Sequence, residues 1–370
     1  MNPAVQKTLA FLLLLFIGFL LRSKFQSSEH QKGLKTIILT IALPAIIFVA
    51  LLKAEISQEL LWLPIIALAF NFVLFFALQF ILPIYGIEKN TATYRTYLLL
   101  FPSLAPGLSC FPFLIEYLGD DALAWGALAD IGNKFFVLIF AYMLAIHWFF
   151  KIHPSVDGNS KGKIKSLLVS LVNEPINMVI VIALVLLAFG IRMENLPPFL
   201  SSSITSLSNL MTPLVLMYIG IAVVFNWAQI KKIFNLLLLR SGLTFLLSGL
   251  LISFVPGLSP MAILVMVVFP QSAISFWPYA HMSAIQAMEQ VTPQPQKKTF
   301  DLALGINILA LSLPFATAIM LLVFSFGETF TSPTLLLSLG LGLISISAIK
   351  PTYLKINDWL INFMLKKEQG

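Results

Sequence analysis

Long apolar stretches alternate with short polar segments along the whole chain. A helix needs about 17 to 25 such residues to cross the ~30 Å hydrocarbon layer of a bilayer. Runs of that length predict ten membrane spans, at roughly 5–21, 35–52, 60–83, 97–118, 122–148, 168–190, 203–225, 234–254, 260–283 and 301–325. A shorter run at 333–349 is predicted to be an eleventh span, with a re-entrant or interfacial segment as the alternative. The pattern therefore favours an all-α polytopic membrane protein.

Two of these spans are interrupted by proline. The fourth contains FPSLAPGLSCFPF (Phe101–Phe113) and the ninth contains FPQSAISFWPYA (Phe269–Ala280). Each proline removes a backbone donor and clashes with the preceding turn, so both helices are expected to break within the membrane. Unpaired backbone groups survive there only beside protein or a water-filled cavity, so two broken spans point to a transporter's substrate site. The residues expected to contact a substrate, largely through their backbone, are Ser103, Ala105, Pro106, Gly107, Ser109 and Pro112 in the first break and Pro270, Gln271, Ser272, Ser275 and Pro278 in the second.

The two sets of five spans look like copies of each other. Pro44 in the second span precedes Pro102 by 58 residues. Pro213 in the seventh span precedes Pro270 by 57 residues. Because five is odd, a second copy would enter the membrane in the opposite orientation, and the two breaks would cross near the midplane. The predicted organisation is a first five-span repeat at 1–150, a cytoplasmic linker at 151–167, a second inverted repeat at 168–326, and an extra span with a basic tail at 327–370.

The composition is that of a membrane protein, since 59% of the residues are hydrophobic, 11% are charged and the mean hydropathy is +0.93. These values exclude an ordinary soluble domain. The net charge of +7 does not indicate nucleic-acid binding, because Lys and Arg lie mainly in the odd-numbered loops and the even loops hold only Lys53 and Arg192. This bias predicts a cell (inner) membrane protein with its amino terminus outside and its carboxyl terminus in the cytoplasm. The single cysteine, Cys110, excludes an internal disulfide.

Charged residues within the spans are the strongest candidates for function, since a charge at that depth costs at least ~2.5–3.5 kcal/mol. Asp130, Asn133 and Lys134 lie in the fifth span. Asp130 and Lys134 are four residues apart and so share one helix face. We expect these three residues to act in charge coupling, together with Asn307 of the tenth span. The alternative is a pair that only neutralises itself and holds two helices together.

The remaining polar residues of the spans are expected to be structural. Asn71 and Gln79 suit hydrogen bonds between helices. Arg240 and His147 lie near the cytoplasmic ends of their apolar runs, where a long side chain can reach the interface. His281 is expected at the interface as well, with a proton-handling role as the alternative.

Several segments carry a resemblance to a known family. They are FPQSAISFWPYA followed by NILALSLPFATAIML (Asn307–Leu321), IALPAIIFVALLKAEI (Ile41–Ile56), the Gly107-to-Pro112 spacing, and Asp130 with Asn133 in ADIGN. Together they resemble the auxin efflux carrier family of permeases, within the wider superfamily of bile-acid, arsenite and auxin carriers. The resemblance covers about residues 5–325. It implies a ten-span core of two inverted repeats, with an organic anion bound where the broken helices cross. Ala105 and Pro106 stand where the family usually carries Asn-Thr, and the chain beyond about Phe326 exceeds the ten-span pattern.

These patterns predict a secondary transporter that moves a small organic anion, such as a carboxylate, by alternating access. One alternative is a sodium-coupled symporter of bile-acid type, which would need a sodium cage from Asn133, Asn307, Gln271 and Asp130. Another is a transport-deficient sensor or binding protein with the carrier fold, which Ala105 and Pro106 favour. An intramembrane enzyme is disfavoured, because the chain has neither an HExxH pair nor two aspartates at midplane depth. The predicted partners are the anion and the lipid bilayer, with no nucleic acid, no cofactor and no metal site. Proton or sodium coupling and a homodimer are left open.

Overall fold

A computed structural model describes residues 3–25, 27–53, 62–153, 175–222, 227–255, 257–290 and 298–349, and within these ranges the chain is helical with no strand. Seven helical stretches of the described chain are long and apolar enough to cross a membrane, and two shorter apolar helices accompany them. The prediction of an all-α polytopic membrane protein is confirmed. The α-helices are α1 (Pro3–Leu21), α2 (Ser28–Ile37), α3 (Leu43–Lys53), α4 (Leu63–Ile84), α5 (Ala92–Leu100), α6 (Pro106–Ser109), α7 (Phe111–Leu118), α8 (Asp120–Phe135), α9 (Ala141–Ile152), α10 (Pro175–Ala188), α11 (Pro198–Ser208), α12 (Met211–Ala222), α13 (Trp227–Phe254), α14 (Pro260–Val268), α15 (Phe276–Gln290), α16 (Leu302–Phe326) and α17 (Pro333–Ile349).

Parts of five predicted segments lie outside the described residues. These parts are the start of the third span at 60–61, most of the linker at 151–167, the beginning of the sixth span at 168–174, the end of the seventh span at 223–225, and the basic tail at 350–370.

The second and seventh spans are irregular beside the two prolines that suggested a duplication. In the second span a π turn, Ile38–Ala42, joins α2 to α3 just before Pro44. A proline lacks the N–H for the helical bond and crowds the carbonyl four residues earlier, and the wider turn accommodates both effects. In the seventh span α11 ends at Ser208 and α12 begins shortly before Pro213. The inverted orientation of the two repeats stays a prediction.

Both proline-rich spans are interrupted where the sequence predicts. The fourth span consists of α5, α6 and α7, and residues 101–105 between α5 and α6 are not helical. The ninth consists of α14, a 3-10 turn at Phe269–Gln271, and α15. Pro106 and Pro112 lie in the first turns of α6 and α7, where a missing N–H costs no helical bond. These prolines therefore start new helical segments after a break.

The first and seventh spans cross at very short range. A β-carbon added to Gly18 of α1 would lie 2.2 Å from the carbonyl oxygen of Met217. One added to Gly220 of α12 would lie 2.1 Å from the carbonyl oxygen of Leu15. Lipid provides no hydrophobic force that drives helices together, so close backbone packing of this kind holds α1 against α12.

The last helix, α17, runs antiparallel along α13. Its middle contacts α13 through Gly340, since a β-carbon added there would lie 2.8 Å from the carbonyl oxygen of Gly242. Near its end, the Ser347 carbonyl accepts a hydrogen bond from Asn235 Nδ2 at 2.7 Å. The shorter apolar helix α17 therefore packs along a membrane-length helix, and the eleventh span stays a prediction.

Candidate substrate site at the crossing of the broken spans

The two breaks lie directly against each other. The Ala105 N–H donates to the Ala273 carbonyl at 2.7 Å. The Ala273 N–H donates to the Ser109 hydroxyl at 2.8 Å, and the Ser275 N–H donates to the Ser103 hydroxyl at 3.1 Å. The structure thus brings together residues from both predicted halves of the site.

Every carbonyl from Leu100 to Ala105 accepts a hydrogen bond. The Leu100 oxygen also accepts from the Ser103 N–H at 3.0 Å. A broken helix leaves such oxygens without their helical amide partners, and at membrane depth each needs another donor. Side chains of α4, α8 and α13 supply four of the six donors, and serines of the break supply the other two. The bonds are Ser103 Oγ to Leu100 (2.6 Å), Arg240 Nε to Phe101 (2.8 Å), Asn71 Nδ2 to Pro102 (2.7 Å), Arg240 Nη2 to Ser103 (3.2 Å), Asn133 Nδ2 to Leu104 (2.9 Å) and Ser109 Oγ to Ala105 (2.8 Å).

The amides of the two breaks are paired within the protein as well. The Leu104 N–H donates to Asn133 Oδ1 at 3.1 Å. The Ile274 N–H of the second break donates to the Ser312 hydroxyl of α16 at 3.3 Å. The proline pattern predicts backbone groups that are open to a ligand, whereas these groups already have protein partners. A ligand would therefore bind through side chains here or replace some of these bonds.

The buried charged pair lies beside the first break. Lys134 Nζ is 3.5 Å from Asp130 Oδ2, and 6% of each side chain is exposed. Asp130 Oδ1 accepts a hydrogen bond from Asn133 Nδ2 at 2.8 Å. Lys134 donates to Asn177 Oδ1 of α10 at 3.1 Å. Asn133 thus connects the charged pair to the backbone of the break, and Asn177 is a member of the cluster that sequence reasoning missed.

The side chains of the second break have their own partners. Gln271 exchanges two bonds with Ser241 of α13, accepting from its hydroxyl at 2.8 Å and donating to its carbonyl at 3.1 Å. The Ser272 hydroxyl donates to the Phe269 carbonyl at 2.6 Å. Pro270 and Pro278 are buried. Gln271 therefore connects the second break to the same helix that carries Arg240.

Gly107 faces another helix. A β-carbon at this position would lie 2.7 Å from Leu43 Cδ2 of α3. From the sequence, Gly107 is expected to leave room for a ligand. In the structure its missing side chain leaves room for Leu43, so Gly107 lets α6 pack on the second span.

Two expectations about polar residues are wrong. Arg240 is only 3% exposed and lies at the middle of α13, which begins at Trp227, seven residues before the start of the predicted span. His281 is 7% exposed, and its Nε2 is 2.9 Å from the Val137 carbonyl in a π turn of the fifth span. Both helices continue beyond their apolar runs, so a residue near the end of a run lies deep in the helix. Arg240 could have been found as the charged residue within the apolar run 234–254.

Asn307 is partly buried on α16, and its role in charge coupling stays a prediction. Ser312 of the same helix bonds the second break. Asn71 does form the expected bond between helices, through the Pro102 carbonyl.

A second polar cluster joins the ends of the fourth, fifth, ninth and tenth spans. Arg95 of α5 is 7% exposed and donates to the carbonyls of Thr299 (2.7 Å), Asn90 (2.7 Å) and Lys298 (3.2 Å). Glu289 of α15 accepts from the Thr299 N–H at 2.7 Å and lies 3.4 Å from His153 Nε2. The loop charge bias predicts that this end is cytoplasmic.

No family model matches the chain. Over 217 residues, which are 58% of this chain and 67% of the relative, the sequence is 25% identical to an uncharacterized transporter of Methanocaldococcus jannaschii. The membrane helices and this similarity support a membrane transporter, and they favour transport over catalysis.

Proposed function

We propose that the protein is a secondary transporter that carries a small organic anion across the membrane by alternating access, with the substrate at the crossing of the two broken spans. The observation that carries the proposal is the direct contact of the breaks, Ala105 N–H to Ala273 carbonyl, inside a multi-span protein that is similar to a transporter. Broken helices that meet in the membrane interior are typical of substrate sites in such proteins. The motifs of the broken spans and of the second, fifth and tenth spans make an auxin efflux carrier type of permease the family we propose.

The charges at the crossing support an anion. Three charged side chains bond the first break or its partners: Asp130, Lys134 and Arg240. Their formal sum is one positive charge. Residues 101–104, to which they attach directly or through Asn133, span at most about 11 Å of chain, so the three charges act on one region. An anion in this region would gain favourable electrostatics in a poorly hydrated environment.

The alternative is a binding protein or sensor that has kept this fold. It is favoured by the complete pairing of the carbonyls from Leu100 to Ala105, which leaves the first break held by the protein itself.

Reconstitution into proteoliposomes tests the proposal. Vesicles loaded with an unlabelled carboxylate should take up the same labelled carboxylate faster than protein-free vesicles, with a panel that includes acetate, lactate, benzoate and succinate. Uptake that needs sodium on one side would indicate the symporter alternative. Binding of a carboxylate without exchange would support the sensor, and neither binding nor exchange with any member would contradict the anion proposal.

A further inference from the structure

Arg240 is a buried cation whose hydrogen bonds go to neutral groups. Its Nε and Nη2 donate to the Phe101 and Ser103 carbonyls at 2.8 and 3.2 Å. Within the part of the chain that the structure describes, no carboxylate lies within 4.0 Å of its guanidinium. The side chain is 3% exposed, so water contributes little to its solvation.

Backbone carbonyls alone compensate a buried charge poorly. An unpaired charge at membrane depth is costly, and such residues are usually paired or face a functional cavity. Asp130, the acid nearest in the network, already contacts Lys134 and Asn133. Two neutral donors such as an Asn or a Gln would cap the same carbonyls at a lower desolvation cost, as Asn71 does at Pro102.

A second cation lies at the other break. Lys35 of α2 places its Nζ 4.6 Å from the ring centroid of Phe276, the residue that follows Ser275. Positive charge is therefore present at both breaks, whereas the carboxylate of Asp130 is held on the α8 side by Asn133 and Lys134.

We propose that Arg240 is the residue that recognises the charge of the substrate, and that the substrate is a carboxylate which binds at the crossing as the missing counter-ion of this guanidinium. This inference rests on the proposed function and assigns it a residue. A guanidinium can hold the break through two of its N–H groups and offer the remaining ones to a carboxylate, since it carries five donors in one plane.

The chain offers a matched control in Arg95. It is likewise a buried arginine that donates to backbone carbonyls, but it lies in the second polar cluster, next to Glu289. Substitution of either arginine removes a set of carbonyl bonds, and only Arg240 lies at the crossing. If Arg240 acted only in folding, substitution of Arg240 and substitution of Arg95 would change the carboxylate response in the same way.

The experiment compares wild type, Arg240→Gln, Arg240→Lys and Arg95→Gln. Each protein is purified in detergent, and its thermal unfolding is measured against increasing concentrations of acetate, lactate, benzoate and succinate, each beside its neutral amide. We expect wild type to respond to at least one carboxylate and not to the matching amide. Arg240→Gln should lose about tenfold or more of the apparent affinity for that carboxylate, which is the usual scale of a charge-assisted hydrogen bond. Arg240→Lys should keep part of the response because it keeps the charge, and Arg95→Gln should keep the preference for the carboxylate over the amide.

The outcomes separate the inference from the proposed function. A wild type that responds to a carboxylate while folded Arg240→Gln responds equally would overturn the role of Arg240 and leave the anion function standing. If Arg240→Gln does not fold, Arg240→Lys decides, because a folded lysine variant with the same carboxylate affinity as wild type would show that the guanidinium donors are not used and would overturn the inference. A wild type that responds to none of the carboxylates, in this assay and in vesicle exchange, would remove the proposed function itself.

Discussion

At the scale of single residues, the Asp130–Lys134 pair and the Lys53–Asp120 pair show how burial changes the contribution of an ion pair to stability. Both have an N–O distance between 3.3 and 3.5 Å, but the first pair has 6% of each side chain exposed and the second 49% and 34%. Water already solvates the exposed charges of Lys53 and Asp120, so their contact adds little to the stability of the protein. A buried charge that loses its partner is left without either solvent or counter-ion.

We therefore expect a strong coupling within the buried pair. Asp130→Asn or Lys134→Gln alone should each lower the free energy of unfolding by about 3–5 kcal/mol, and the double variant should be milder than the sum. The same double-mutant cycle on Lys53 and Asp120 serves as the control and should give at most about 1 kcal/mol. Thermal and denaturant unfolding measure both cycles. Additive effects at Asp130 and Lys134 would show that the two charges do not sense each other.

Ser109 connects the two breaks through one hydroxyl. It donates to the Ala105 carbonyl and accepts from the Ala273 N–H, both at 2.8 Å. From the sequence alone, its removal is expected to weaken ligand binding slightly, as for one neutral hydrogen bond. The structure instead predicts that Ser109→Ala leaves a buried amide and a buried carbonyl unpaired.

The expected cost of Ser109→Ala is about 1–3 kcal/mol of unfolding free energy, the usual penalty for an unsatisfied buried group. Ser253→Ala is the matched control, because that hydroxyl bonds only the Gly249 carbonyl of its own helix and is exposed at the end of α13. It should change stability by less than about 0.5 kcal/mol. Equal stabilities of the two variants would mean that the crossing tolerates the loss of this link.

At the scale of helices, glycine marks where two spans approach most closely. Gly18 and Gly220 lie where any side chain would meet the backbone of the facing helix. Gly342 of α17 lies in a helix too, but a β-carbon there would meet nothing within 4 Å. The two kinds of glycine are indistinguishable in an apolar run of sequence.

Gly220→Val should push α1 away from α12 and cost about 1–3 kcal/mol or more, since no flexible side chain can move aside. Gly342→Ala should be neutral or stabilising by up to about 1 kcal/mol, because alanine is the better helix former. Thermal unfolding in the same detergent compares the two. A stable, normally folded Gly220→Val protein would show that α1 is not packed as described.

At the scale of the whole molecule, two polar clusters join the predicted repeats: the crossing joins them at the breaks, and the second polar cluster joins them at the helix ends. The crossing connects the two breaks, and the cluster of Arg95, Glu289 and Thr299 connects the ends of the helices that carry them. The side of the membrane on which this cluster lies is still a prediction from loop charge. It can be tested directly.

Cysteine labelling tests the orientation. The chain's single cysteine, Cys110, is buried, so Cys110→Ser gives a background without thiols. Two exposed positions are then replaced by cysteine in the Cys110→Ser protein. Glu194→Cys, in a predicted outside loop, should react with a membrane-impermeant maleimide in intact cells. Lys89→Cys, in a predicted cytoplasmic loop, should react only after permeabilisation. The opposite pattern would invert the topology, and labelling of both from one side would contradict the predicted span count between them.

The sequence by itself determined the helical class, the approximate spans and the two breaks. These features depend on local chemistry: apolar run length sets which segments enter lipid, and several prolines close together in one span interrupt its helix, whereas the single Pro314 leaves α16 continuous. The four-residue spacing of Asp130 and Lys134 likewise puts them on one helix face, because that separation is close to one helical turn. Family and substrate stay proposals, because they rest on resemblance rather than on these local effects.

Only the tertiary structure decided which residues complete the crossing. Arg240, Asn177, Ser241 and Ser312 lie far along the chain from the groups they bond, and nothing local to them indicates a partner. Helix ends also depend on packing, since α13 and α15 continue past their apolar runs and carry Arg240 and His281 into the interior. Hydropathy reports the cost of a residue in lipid, whereas the position of a side chain inside a bundle depends on the neighbours that replace the lipid.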